Sequence, residues 1–137
     1  MSTKRKSTQA TGKRKTSKAK AVITDGKGRI RVNNTPIDLY EPEYAKGKIM
    51  ESLMLAGPEV NKTVDIRVEV TGGGYMSQAE AVRMAIAQGL VKYTKSKKLR
   101  DVYIEYDRTM LSGDGRRTEP KKFGGPSART RKQKSYR

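Results

Sequence analysis

Two kinds of residue in this chain offer chemistry, a glycine turn and clustered cations. The stretch TGGGYMSQAEA, residues 71–81, sets three glycines before a helix start. Such a turn presents unpaired backbone N–H groups and the positive end of a helix dipole, which suits an anion such as phosphate. The same glycines serve equally well as a plain turn that admits positive φ angles. The stretch is neither a P-loop nor a dinucleotide fingerprint, because no Lys-Ser or Lys-Thr follows at the required spacing. The cations are Lys13, Arg14, Lys15 and Lys18 near one end, and a run closing on KQKSYR at the other, with no acidic side chain after Glu119.

The absences are as informative. The chain has no cysteine and no histidine, which excludes disulfides, thiolate chemistry, zinc fingers and the usual general base near neutral pH. The carboxylates are scattered. Glu41 and Glu43 flank a helix start, Asp65 and Glu69 lie beside Arg67 on a strand, and Asp101 and Glu105 are spaced as surface helix partners. They are expected to be solvated, and neither a metal cage nor an acid/base pair emerges, so no enzyme and no cofactor is expected.

The elements that must hold these groups lie in the middle of the chain. Ala19, Ala21 and Ile23 alternate with Lys20, Val22 and Thr24, Asp25 to Gly28 supplies a turn, and Arg29 to Val32 alternates again, which predicts a β-hairpin. From Pro42 onward Ala45, Ile49 and Leu53 share a helical face flanked by Met50 and Met54, and Gly57 with Pro58 ends it. In Thr63 to Val70, Val64, Ile66, Val68 and Val70 point one way and Asp65, Arg67 and Glu69 the other, the pattern of a strand with one packed and one wet face. Ser77 and Glu80 have capping-box spacing, and Val82, Ala85, Ile86, Gly89, Leu90 and Tyr93 mark the apolar stripe of the following helix. Leu99, Val102, Tyr103 and Tyr106 have helical spacing as well, although Val102, Ile104 and Tyr106 also alternate as in a strand. Helix is the preferred reading.

Charge then divides the chain. Of 137 residues, 31 are Lys or Arg and 14 are Asp or Glu, a net charge of +17, with a pI near 10.2. Residues 1–20 hold eight basic residues and no acid, and residues 111–137 hold nine basic and two acidic, while residues 21–110 hold fourteen and twelve. Such an imbalance calls for a polyanionic partner. End segments this poor in apolar residues cannot offset the entropy of ordering, so they should gain structure only against that partner. The expected organisation is a basic extension over 1–17, a globular α/β domain over 18–110 and an extended basic tail over 111–137. Stretched out, the 27 residues of that tail reach about 90 Å at about 3.3 Å per residue. The longest strongly apolar run, Leu53 to Ala56, is too short for a signal sequence or a membrane span, so a soluble intracellular protein is expected.

Three separated motifs carry a resemblance. ATGKRKTSKAKAVITDGKGRIRVN, VTGGGYMSQAEAVRMAIAQGLV and DGRRTEPKKFGGPSARTRKQKSYR occur here in the order found in the ninth small-subunit ribosomal protein family, in its archaeal and eukaryotic form, and the chain resembles that family from about Thr11 onward. Tyr136 stands where bacterial members carry a basic residue. The resemblance implies an α/β (α+β) two-layer sandwich, ribosomal protein S-five domain-two-like with a left-handed crossover, bearing extended basic N- and C-terminal tails. It implies a cytoplasmic ribosomal protein that binds small-subunit rRNA in the head beside neighbouring head proteins and sends its tail to the anticodon stem-loop of the P-site tRNA.

With that partner, Lys13, Arg14, Lys15, Arg116, Arg117, Lys121, Lys122, Arg129, Arg131, Lys132 and Lys134 are expected to neutralise rRNA phosphates and release counterions. The N–H groups at Gly72, Gly73 and Gly74 are expected to add a phosphate contact. Ser135, Tyr136 and Arg137 are expected to form the tRNA-proximal tip. Two other classes compete, a DNA-compacting protein sharing the charge and a small-molecule phosphotransferase using the glycine turn.

Overall fold

The computed structural model describes residues 7–40, 42–113, 120 and 123–124. Its order is β1 (Ser7–Arg14), β2 (Ser17–Asp25), β3 (Ile30–Val32), β4 (Thr35–Pro36), a 3₁₀ turn at Ile37–Leu39, α1 (Glu43–Ala56), α2 (Pro58–Asn61), β5 (Val64–Thr71), α3 (Tyr75–Thr94), α4 (Lys97–Tyr106) and α5 (Thr109–Ser112). The fold is thus mixed α/β, as expected. The strands form one sheet in the order β1-β2-β5-β3-β4. β2 runs antiparallel to both β1 and β5, and β3 runs parallel to β5.

Period-two burial sets the inner face of the sheet. Ala19, Ala21 and Ile23 of β2 and Val64, Ile66, Val68 and Val70 of β5 are all buried, and register brings Ala21 opposite Val68 and Ile23 opposite Ile66. The helices cover this face. α3 lies closest, and in α1 the expected stripe of Ala45, Ile49 and Leu53 packs into the same core. α3 buries more than the expected stripe, including Ala81, Met84 and Ala87, because it is sandwiched between the sheet and α1, with α5 also against it. α4 is helical, as preferred, with Leu99 and Tyr103 inward.

Three expectations need correction. β2 and β3 do not form a hairpin, because β5 lies between them. The Asp25–Gly28 turn is held instead by Asp65 of β5, whose Oδ1 accepts the backbone N–H groups of Lys27 and Arg29, each at 3.0 Å. Second, the sheet begins at Ser7, within the segment assigned to a basic extension over 1–17. The signal was weak because β1 buries little more than Ala10 and Gly12. Any larger side chain at Gly12 would collide with the Ala81 carbonyl of α3. Third, α3 starts at Tyr75 with Gly74 as its N-cap and no side-chain cap, so Ser77 and Glu80 do not form a capping box.

One buried cation sits in the helical layer. Arg83 of α3 donates Nη1 to Glu51 of α1 at 2.6 Å and Nη2 to Asp107, just after α4, at 3.1 Å. Tyr103, fully buried, donates its hydroxyl to the Ser52 carbonyl at 2.7 Å. These bonds tie α1, α3 and α4 together through groups that would be costly to leave unpaired.

Candidate nucleic-acid interface

The cationic stretch Lys13 to Lys18 is the tip of the β1–β2 hairpin. Arg14 pairs with Ser17 and Lys13 with Lys18, leaving Lys15 and Thr16 as the two-residue loop. Lys15 takes a φ of 54°, in the left-handed region that two-residue hairpin loops require. Lys13, Lys15 and Lys18 are exposed, and the two lysines directly across the ladder repel each other unless an anion lies between them.

The glycine turn docks onto this tip. Gly72 and Gly73 adopt φ values of 79° and 68°. A Cβ on Gly73 would run into the Ser17 hydroxyl, so glycine is demanded by conformation and by space at once. The buried Ser17 donates its hydroxyl to the Gly72 carbonyl at 2.8 Å, and Gln78 donates Nε2 to the same oxygen at 3.1 Å. The Gln78 N–H closes the first turn of α3 onto the Gly74 carbonyl at 2.9 Å. The turn thus sits at the positive end of the α3 dipole, against Thr16 and Ser17 of the hairpin tip.

Arg14 has a different position from its neighbours. It is largely buried, and its Nε donates to Glu80 of α3 at 2.7 Å. Glu80, which sequence spacing assigned to a cap, instead fastens the hairpin to the helix. Arg14 therefore sets the angle at which Lys13 and Lys15 project.

Two residues that sequence reasoning passed over complete this edge. Tyr75, the first residue of α3, meets Tyr44 of α1 edge-on, with ring centroids 5.6 Å apart and an interplanar angle of 70°. Tyr44 donates its hydroxyl to that of Tyr75 at 2.7 Å, and this bond raises the Tyr44 pKa above its ordinary value. Both rings are more than half exposed, Tyr44 at 58% and Tyr75 at 52%. A tyrosine directly following a glycine turn is the signal that could have found Tyr75. Nothing in the sequence pairs it with Tyr44.

Lys13, Arg14, Lys15 and Gly72 to Gly74 are thus brought into one place. Arg116, Arg117, Lys121, Lys122, Arg129, Arg131, Lys132, Lys134, Ser135, Tyr136 and Arg137 lie outside the described residues. Among the described residues no group of acidic side chains could hold a metal ion, and no helix is long and apolar enough to cross a membrane.

These features define a class, the small basic α+β proteins built on one helix-backed sheet. The chain belongs to the family described as ribosomal protein S9/S16, whose sequence model it matches over residues 12–137. It is 58% identical over 137 residues to the small ribosomal subunit protein uS9 of Desulfurococcus amylolyticus, covering 100% of this chain and 97% of that protein. The uS9 protein of Halobacterium salinarum is 48% identical over 130 residues, covering 95% of this chain and 98% of its own length. That of Aeropyrum pernix is 50% identical, covering 93% and 95% respectively.

Proposed function

We propose that the chain is a non-catalytic structural constituent of the small ribosomal subunit, acting in translation in the cytoplasm and binding small-subunit rRNA in the head beside neighbouring head proteins. The observation that carries this reading is the joining of two cation- and N–H-bearing segments, far apart in sequence, through the Ser17–Gly72 hydrogen bond at 2.8 Å. Lys13 and Lys15 supply mobile positive charge, and the Gly72–Gly74 turn supplies fixed donors. A phosphate placed between them meets both. Arg14, held by Glu80, acts mainly as the strut.

The same reading covers the C-terminal stretch. Arg116, Arg117, Lys121, Lys122, Arg129, Arg131, Lys132 and Lys134 neutralise successive rRNA phosphates and release their counterions. Ser135, Tyr136 and Arg137 then reach the anticodon stem-loop of P-site tRNA, where the Arg137 guanidinium forks onto phosphate. The helix-backed sheet supports the S-five domain-two-like sandwich.

The test has two stages. Tagged full-length chain is sedimented from a cell extract at low and high salt, and co-migration with small subunits is expected. Chains ending after Lys134 should still enter subunits but retain P-site tRNA weakly. Normal tRNA retention by those particles would remove the tail's role, and absence from the subunit fraction would remove the whole reading.

A further inference from the structure

The sheet is covered by helices on one face only, so alternate residues of every strand stand on a second, open face. Along β2 and β5 these include Lys18, Lys20, Arg67 and Glu69, which are exposed. Register sets Lys20 opposite Glu69 and Arg31 of β3 beside Arg67 in the parallel pair. With Arg29 these side chains border a shallow depression of about 510 Å³ whose floor includes Val22 and Thr24.

The charge on this face is cationic in balance. Lys20, Arg29, Arg31 and Arg67 border the depression with Asp65 and Glu69, but Asp65 is already engaged. Its carboxylate accepts the backbone N–H groups of Arg29 and Lys27, and the Arg29 bond first, with that of Lys27, holds it below its ordinary pKa. Asp65 stays ionised, so four cations face two carboxylates, of which Glu69 is the one not engaged by backbone N–H groups. Arg31 and Arg67, side by side across a strand pair, repel each other unless an anion joins them. No aromatic ring borders the depression, so the face cannot stack bases in the manner of sheet platforms that read single strands. It offers guanidinium forks, an ammonium group and the Thr24 hydroxyl, which are phosphate ligands.

We propose that this open sheet face is a second RNA-docking surface, continuing from the hairpin tip along β2 to β5 and β3, which takes the sugar-phosphate backbone of ribosomal RNA through Lys20, Arg31 and Arg67 without reading bases. The inference rests on the reading that the chain's partner is small-subunit rRNA. Contacts spread along the open face from the tip end of β2 to β3 hold the domain in one orientation, which a single cationic tip cannot do.

The test is a salt titration of full-length chain against deproteinised small-subunit rRNA. The face variant is Lys20→Gln, Arg31→Gln, Arg67→Gln, and the tip variant is Lys13→Gln, Lys15→Gln. Each lost phosphate contact lowers the slope of log affinity against log salt by about 0.7 to 0.9, so the face variant should lose about 2 in slope and at least about tenfold in affinity. A charge-preserving variant, Lys20→Arg, Arg31→Lys, Arg67→Lys, should keep the slope, which separates charge from loss of fold. A face variant with unaltered slope and affinity, beside a weakened tip variant, overturns this surface and leaves the rRNA reading standing. Unaltered RNA binding with failure to enter reconstituted subunits also overturns it, by assigning the face to a protein neighbour. Absence of salt-dependent binding by the unaltered chain overturns both.

Discussion

Arg14 of the β1–β2 hairpin places its Nε 2.7 Å from the Glu80 carboxylate of α3, with side chains only 12% and 26% exposed. The cationic β1–β2 turn is thereby clamped to the central helix by its one cation that is largely withdrawn from solvent. Replacing Glu80 with Gln keeps the shape and removes the charge. The expected cost is about 1 kcal/mol for a partly buried, charge-assisted pair. Faster amide hydrogen exchange at residues 13–17, with the core unaffected, is the accompanying readout.

The glycine turn supplies a contrast between neighbours. Gly73→Ala places a methyl group against the Ser17 hydroxyl at a φ of 68°, so a loss of about 2 kcal/mol is expected. Gly74→Ala meets nothing within 4 Å and has an ordinary φ of −87°. It should change stability by less than about 1 kcal/mol. Chemical denaturation of the two variants side by side checks this. Equal losses would refute the contact.

Arg83 is 5% exposed and bridges Glu51 and Asp107. Arg83→Met leaves two carboxylates without their shared cation and is expected to cost about 3 kcal/mol. Because the carboxylates retain some contact with water, adding Glu51→Gln and Asp107→Asn should recover part of the loss. The urea midpoints of the single and triple variants give the measurement.

Acid should weaken the fold through two carboxyls. Burial pushes Asp107 up, but the Thr109 hydroxyl and N–H and the Arg83 guanidinium more than offset this and hold it below its ordinary value. The Arg29 N–H, with that of Lys27, does the same for Asp65. In both cases the unfolded chain binds protons more readily than the folded one. Their contribution is therefore complete above the ordinary carboxylate pKa of about 3.9 and is lost as pH falls through the depressed folded values. Thermal melting between about pH 6 and about pH 2 should show this decline, and the Asp65→Asn, Asp107→Asn variant should show a shallower one.

Tyr103→Phe removes the bond to the Ser52 carbonyl while keeping the ring's packing. The expected loss is about 1 kcal/mol. A melting temperature unchanged from the parent would mean that this carbonyl finds another donor.

The local periodicities were legible in the sequence. Val64, Ile66, Val68 and Val70 form the inner face of β5, Ala45, Ile49 and Leu53 the inner face of α1, and Leu99 with Tyr103 that of α4. These patterns depend on the direction in which successive side chains leave one backbone, a property of the segment alone. The cationic ends and the lack of histidine and cysteine were equally plain. β1 was hidden because its inner face must stay small to let α3 approach.

Partnership was decided in three dimensions. A strand edge will accept any segment of matching pattern, so proximity in sequence favoured a β2–β3 hairpin, yet β5 offers β2 eight paired residues while β3 is only three residues long. The longer ladder, with both partners' apolar faces aligned, displaced the shorter one. In the same way Glu80 found Arg14 instead of its own helix end, and Tyr75 found Tyr44. Composition determined that this chain seeks a polyanion. Tertiary packing decided which cations remain free to meet it, because only the fold brings a distant carboxylate within reach of one arginine and leaves the adjacent lysines in water.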